Sequence, residues 1–443
     1  MAKNAPKLGL LDKLFIGILL VIFGGIVLHA PFSVGFSALF PHFEVLIKSW
    51  KEILMVLATL LGIVLLTQKK RWAIIKSPVI VLIAIYALLH IAVIPLFFDN
   101  PTSTIAGLMI DLRYLLYFVL VYGALQLYPQ LRRTFIGIFV AGALIVGTFA
   151  LLQVTVLPID VLKYIGYDQT SIVPYLTVDQ NIDYVRINST LRGPNPLGAF
   201  AVIVLTLLTA FWLKGNHRQF KRPMFVVGLL GIGSLVALWA SYSRSALVAA
   251  FVAVGLVLLL GFGRRLSKGS WAVVIVTLIL LGGTLFAARG TEFVSNVLLH
   301  ENVHEGGDIN SNEGHVDSLN DGVARMVRQP LGGGVGSTGS ASMYTDQSLI
   351  IENQYLFIAH EVGWLGLALF LYIFWKVLRR LWQRRTDWLA VGVLASGIGL
   401  ALIGLLLPVW VDDTVAIIWW GLAAVVIGGS NGRTIHKTSK RTT

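Results

Sequence analysis

Residues 77–97 read SPVIVLIAIYALLHIAVIPLF, a run with no Asp, Glu, Lys or Arg. At 1.5 Å rise per residue these positions make a helix of about 31 Å, close to the thickness of a bilayer's hydrocarbon core. The preceding segment, QKKRWAIIK (68–76), carries Lys69, Lys70, Arg71 and Lys76. The following one, FDNPTST (98–104), carries Asp99 and no cation. An apolar span with a basic flank on one side only is the repeating unit of a polytopic membrane protein.

Similar runs occur at 12–30, 51–67, 105–126, 134–154, 194–213, 223–241, 244–262, 271–289, 353–376, 387–409 and 412–429. They predict an all-α integral membrane fold with about twelve transmembrane helices, a single polytopic domain over 1–443. Composition agrees: 56% of residues are hydrophobic and only 13% charged, against about 25% charged in a soluble domain. The run at 12–30 follows Lys3, Lys7 and Lys13 but is long enough to span, so it is expected to be a retained first helix rather than a signal peptide. The chain has no cysteine, which excludes disulfides and thiolate-bound metals.

The net charge of +13 would suit a nucleic-acid binder, but its distribution does not. With the N-terminus inside, every segment predicted to be cytoplasmic is basic, and these segments hold most of the 35 Lys and Arg residues. The charge is a topology signal that places both termini inside, with no nucleic-acid partner. The outer segments are acidic or neutral. One of them, 290–351, is long and rich in Gly, Asn, Ser, Asp and Glu, and loops of that length usually carry function. Within it Val316, Leu319, Val323, Met326 and Val327 recur at helical spacing and predict an amphipathic helix over 314–328. No internal repeat is visible, which gives no support to a repeat-built transporter.

A few cations do not follow the topology pattern. Arg186 and Arg192 lie in RINSTLRGPNPLGAF, just before the sixth span; Arg244 sits in WASYSRSAL, at a tight hairpin; Arg113 follows Asp111 at the outer end of the fourth span. All four map to the outer interface. Charge is kept near lipid for a reason, and a guanidinium pairs bidentately with phosphate. The functional reading is a diphosphate site. The alternatives are snorkelling to lipid phosphates and a structural pair such as Asp111–Arg113.

Other motifs divide similarly. HENVH (300–304) has the two-His spacing of a zinc peptidase but runs into a Gly-rich polar stretch, and metal binding is not expected. GGGVGSTG (332–339) lacks the Gly-Lys-Ser/Thr ending of a phosphate loop and reads as a structural turn. Asn188-Ser-Thr is a glycosylation sequon. His315, at the start of the amphipathic helix, is able to exchange a proton near neutral pH. Glu352, opening the span in IIENQYLFIAHEVGWLGL, is a candidate base or a helix-start charge. Asn353 and Tyr355 beside it are placed to hydrogen-bond a sugar, and Trp364 reads as an interfacial belt residue.

Three blocks in order resemble the O-antigen ligase/O-antigen polymerase superfamily of bacterial envelope glycosyltransferases. RINSTLRGPNPLGAF resembles the family's Arg-x-x-Gly-Thr…Asn-Pro-Asn segment and puts Arg186 at its Arg. SYSRSAL resembles the second Ser-Arg element and gives Arg244. GHVDSLNDGVARMVRQPLGGGVGSTG through IIENQYLFIAHEVGWLGL resembles the large outer loop, its Pro-Leu-Gly-x-Gly turn and the helix beyond, so that the likeness covers about 180–370. Where ligases commonly carry His before Asn, this chain has Glu352, a departure toward polymerase-like members.

The resemblance implies a GT-C-type fold in the bacterial cytoplasmic membrane, with the active site on the outer side. It implies transfer of glycan from undecaprenyl diphosphate to a glycan or lipid A-core hydroxyl, with no cofactor. Arg186, Arg244, Arg192 and Arg113 would bind the diphosphate, His315 or Glu352 would act as base, and Asn353 and Tyr355 would meet the acceptor. A flippase for lipid-linked saccharides and, through HENVH, a membrane metallopeptidase are the other readings.

Overall fold

In lipid a chain must satisfy its own backbone N–H and C=O groups, so its apolar runs close into helices. The computed structural model describes residues 8–178, 181–215, 224–262, 311–346 and 348–429, together with positions 287 and 291. The helices are α1 Leu10–Gly25, α2 His29–Leu39, the short α3 Glu44–Lys48, α4 Trp50–Gln68, α5 Pro78–Val93, α6 Pro101–Leu127 and α7 Leu131–Thr155. They continue with α8 Pro194–Lys214, α9 Met224–Ala240, α10 Arg244–Phe262, α11 Ser311–Arg328, α12 Gln354–Gln383, α13 Trp388–Ile403 and α14 Asp413–Gly428. Asn100, Asn353, Asp387 and Asp412 cap α6, α12, α13 and α14 by accepting first-turn N–H groups.

Among the described residues, eight helices are long and apolar enough to cross a membrane, the first running from α1 through α2 as one span. Three further apolar helices, α9, α13 and α14, are shorter. The predicted run at 271–289 lies outside the described residues, as do HENVH and Arg289. Of the about twelve spans expected, the described residues hold eight of full length, with three shorter apolar helices besides.

Two of the short helices, α13 and α14, are mostly surrounded by protein. From Thr414 to Gly428 every residue of α14 is buried, as expected of a helix that is apolar on all sides. It packs on α6, and also touches α12, α13, α8, α7 and α1. Trp410, Trp419 and Trp420, fully buried, form an aromatic cluster around it with Phe374, Tyr114 and Phe118. Around this centre α13 lies on α8 and α10, and α8 on α9. The first span belongs to the same core: Leu19 and Ile22 are fully buried and Phe23 stacks near Tyr117.

Two features depart from the expectation. The stretch 155–190 contains an antiparallel hairpin, β1 Leu176–Val178 with β2 Asn181–Arg186, pairing Leu176 with Arg186. Among the described residues the fold is thus all-α apart from one small ribbon. The amphipathic helix is present as α11, but Val316, Leu319, Val323 and Val327 are exposed. The helix meets the protein instead through the buried Gly322, where an added Cβ would come within 2.9 Å of Leu356. A small residue lets α11 lie close to α12, and its apolar stripe is left facing outward.

The packing around α14 gives a sharp test. A Cβ on Gly397 would lie 2.3 Å from the Trp419 ring, whereas one on Gly17 meets nothing within 4 Å. Gly397→Ala is expected to lower stability by about 1–3 kcal/mol, read as a lower melting midpoint of the purified protein in detergent. Gly17→Ala should be close to neutral. Equal midpoints for the two variants would contradict the central position of α14.

Candidate functional site

The hairpin ends on Arg186, and the chain then dives inward. Ile187, Asn188, Ser189, Thr190 and Leu191 are all buried. Their polar groups are held by the bundle: Ser189 N–H donates to Gln153 Oε1 at 2.8 Å, Ser189 Oγ to the Val146 carbonyl at 2.8 Å, and Asn188 Nδ2 to the Val173 carbonyl at 2.9 Å. Asn188 is 1% exposed, so the sequon cannot receive a glycan in this fold. Pro194 then opens α8 at its first position, where the missing N–H costs nothing.

This rigid mount aims Arg186. Its Nη2 donates to Asn195 Oδ1 at 2.7 Å and its Nε to the Ser241 carbonyl at 3.0 Å, while Ile187 N–H donates to the Ala240 carbonyl at 3.1 Å. Arg186 therefore joins the start of α8 to the α9–α10 turn, Ser241–Arg244, a contact between residues 55 apart in sequence. Tyr242 in that turn adopts a φ of +46° and its ring meets Tyr184 edge to face at 6.3 Å. Burial first, and then the neighbouring Tyr184 phenol, push the Tyr242 phenol up, so it stays a protonated donor. Arg244 is the first residue of α10. A helix N-terminus already favours anions, so a cation there adds to the positive end rather than cancelling it. Arg186 and Arg244 are brought to one corner, as the sequence suggested.

Arg113 and Arg192 have different surroundings. Arg113 is nearly buried and pairs with Asp413, with Glu52 at 3.5 Å. Lys51 lies 2.8 Å from Asp413 and 3.1 Å from Glu52, and His29 Nε2 is 3.1 Å from Asp413. Arg113 is thus part of a charge cluster that ties α2, α4 and α6 to α14. Its partner is not Asp111, which lies 3.5 Å from His90 instead. Arg192 is exposed. The charges of Arg192 and Arg113 both act on Asp412, the cap of α14, which places Arg192 near the charge cluster.

The third element is the glycine-rich loop on α12. That helix breaks at Val362 and Gly363, where Gly363 has a φ of +71°. A break inside a span releases backbone groups that need new partners, and the loop supplies them. Gly333 N–H donates to the His360 carbonyl at 2.5 Å, and Trp364 N–H donates to the Pro330 carbonyl at 3.0 Å. Glu361, 1% exposed, accepts from Gly336 N–H at 2.5 Å and Thr338 N–H at 3.0 Å. A Cβ on Gly336 would strike the Ser103 carbonyl at 2.1 Å, so only glycine lets the loop lie against α6. GGGVGSTG is therefore a nest of amides around acceptor oxygens, and the acceptor is the protein's own Glu361 carboxyl group. Asp111 on α6 is close enough for its charge to act on Glu361.

Glu352 lies just before α12. Its N–H meets Ser318 Oγ at 3.5 Å, which brings the start of α12 to α11. His315 lies one turn before Ser318 on α11; its side chain is outside the described residues. Asn353 Oδ1 caps α12 by accepting from Tyr355 and Leu356 N–H, and its Nδ2 donates to the Leu405 carbonyl at 2.7 Å. Tyr355 Oη donates to the Ala401 carbonyl at 2.8 Å. Both polar side chains, expected at an acceptor sugar, are engaged in anchoring α12. Trp364 is half exposed, as a belt residue should be, and its Nε1 also donates to the Met326 carbonyl at the end of α11.

Sequence reasoning passed over Glu361. The signal was present: a carboxylate inside AHEVGWLGLALFLYIF, an apolar span, is expensive and is retained for a purpose. The nest gives that purpose a test. Glu361→Ala leaves the Gly336 and Thr338 amides without their acceptor, and their hydrogen–deuterium exchange should accelerate by at least about tenfold. Glu361→Gln, which keeps one carbonyl oxygen, should show a smaller increase. Unchanged protection in the alanine variant would mean that the nest is held by something else.

Residues 229–371 match the family model described as O-antigen ligase. The match holds Arg244, α11, the glycine-rich loop, Glu352 and Glu361, and Arg186 reaches into it through Ser241. It supports the O-antigen ligase/O-antigen polymerase superfamily for this chain, the resemblance read from the three sequence blocks. No curated protein matches the chain.

Proposed function

We propose, with the O-antigen ligase match as premise, that this membrane protein is a glycosyltransferase of ligase or polymerase type. Its donor would be a glycan on undecaprenyl diphosphate, at the outer face of a bacterial cytoplasmic membrane, with both termini inside. The observation that carries this reading is the corner where Arg186, fixed by Asn195 and the Ser241 carbonyl, meets the turn that presents Arg244.

The chemistry follows from placing a diphosphate there. An acceptor hydroxyl oxygen attacks the anomeric carbon, the bond from that carbon to the phosphate oxygen breaks, and undecaprenyl diphosphate leaves. Negative charge grows on the departing phosphate in the transition state, and fixed guanidinium donors stabilise it most at that moment. Arg186 and Arg244 take this role, with Arg192 at the margin. Arg113, paired to Asp413 and Glu52, supports the corner from behind. The acceptor's proton passes to a base on the α11–α12 side, Glu352 or His315. Asn353 and Tyr355 hold the mount of Glu352.

The test is transfer by the purified protein from an undecaprenyl-diphosphate glycan, with and without a lipid A-core acceptor. A ladder without the core would mark a polymerase, and a single transfer to the core a ligase. Arg186→Ala and Arg244→Ala should each reduce transfer by about a hundredfold or more while the protein still inserts. Arg→Lys at either position should restore only part of the rate, because the planar fork is lost. Full transfer by both alanine variants would overturn the site, and movement of the lipid with no new glycosidic bond would favour a flippase.

A further inference from the structure

A second feature sits at the far end of α8. This helix runs from Pro194, beside Arg186, to Lys214, and its residues span about 31 Å. Around its C-terminal half lies a cavity of about 300 Å³ between α7, α8 and α9 and the start of α13. Every lining residue is hydrophobic, among them Phe139, Leu207, Phe211, Leu230 and Trp388. Phe211 and Trp388 meet edge to face at 5.2 Å and form one wall. Trp212 and Met224 both line the cavity and are mostly exposed, so its mouth opens on the outside of the bundle, where lipid would be.

Two cations stand near this wall, the Arg385 guanidinium lying over the exposed Trp382 ring at 5.0 Å. Lys214 follows Phe211 by less than one turn, Arg385 precedes Trp388 by three residues, and Lys214 Nζ donates to the Arg385 carbonyl at 3.2 Å. Among the described residues neither side chain has a carboxylate partner: the nearby Asp387 pairs with Arg132 at 2.5 Å. Arg384, next in the chain, donates to the Gly429 carbonyl at 2.5 Å. An apolar cavity of small-ligand size with two adjacent cations at one edge fits an amphiphile with an anionic head and an apolar tail. The positive-inside pattern expects this end of α8 at the cytoplasmic leaflet.

We propose that this cavity is a binding site for an anionic glycerophospholipid, with one acyl chain between Phe139, Leu207 and Leu230 and its phosphate on Lys214 and Arg385. The site lies at the opposite end of α8 from the arginine corner, so it is separate from the proposed donor site and does not depend on that reading.

The absence of native cysteine permits a direct test on the full chain. Met224→Cys carries a single fluorophore at the mouth, and the protein is reconstituted in vesicles of unlabelled phosphatidylcholine. Phosphatidylglycerol brominated in its acyl chains should quench the fluorophore at about twentyfold lower mole fraction than brominated phosphatidylcholine. Lys214→Gln with Arg385→Gln should erase that headgroup preference while leaving some quenching. Val227→Phe, which fills the cavity from the lining residue Val227, should weaken quenching by both lipids. Each variant is first checked for an unchanged elution profile, and wild-type preference alone already decides the matter. Equal quenching by the two headgroups in the unsubstituted background would overturn the proposal. So would displacement of the brominated lipid by undecaprenyl phosphate but not by phosphatidylglycerol, which would assign the cavity to an isoprenoid chain.

Discussion

A carboxylate buried among apolar helices has to be surrounded by donors, and in this protein that need organises the whole third block of sequence. Glu361 sits one residue before a break in α12. The break frees backbone groups, and the carboxylate demands N–H partners. Both requirements are met by the same loop, 330–339, whose amides turn toward Glu361 while its other groups pair with the broken helix. The loop is thereby fixed between α6 and α12, and α11 is delivered to the start of α12, where Ser318 meets the Glu352 amide. Glu361 thus adds two buried side-chain bonds to the backbone pairs that attach the long polar segment to the bundle.

The arginine corner is built by a different device. Arg186 is joined to the turn that carries Arg244, far along the sequence, by the Ser241 carbonyl, and to the start of α8 by the Asn195 amide, groups that orient its guanidinium. Arg113 shows the contrasting case, since Asp413 and Glu52 surround it and the charge there serves cohesion between the N-terminal and C-terminal helices. The same residue type thus serves in two settings, one of them a buried cluster of carboxylates.

Much of this was legible in the chain itself. Spans over 51–67, 105–126, 134–154 and 194–213 correspond to helices because twenty apolar residues have only one way to lie in lipid. Arg186 and Arg244 were visible as cations that broke the positive-inside pattern. Other features were hidden for definable reasons. Asn353 and Tyr355 were read by chemical type, and type does not tell whether a polar atom faces a ligand or a neighbouring helix end. The hairpin at 176–186 escaped because strand alternation is short there and one partner strand has three residues. The amphipathic pattern of α11 predicts the helix but not its contact face, and a buried glycine can bring a helix closer than a stripe of valines. Glu361 was passed over because Glu352, at an exposed helix start, looked more like an active-site base.

The complete burial of α14 also bears on how the protein is made. Every helix it touches, from α1 to α13, precedes it in the chain and is synthesised first. Until α14 leaves the ribosome, α6 and α13 have no central partner, and the seat for Trp419 and Trp420 is vacant. Assembly therefore cannot finish progressively from the N-terminus. The earlier helices can already pair, α13 on α8 and α10 and α8 on α9, and the bundle's centre closes in a late step when the aromatic helix arrives. Termination of synthesis before residue 413 would leave a set of inserted helices with no centre, the kind of product a membrane quality-control protease removes.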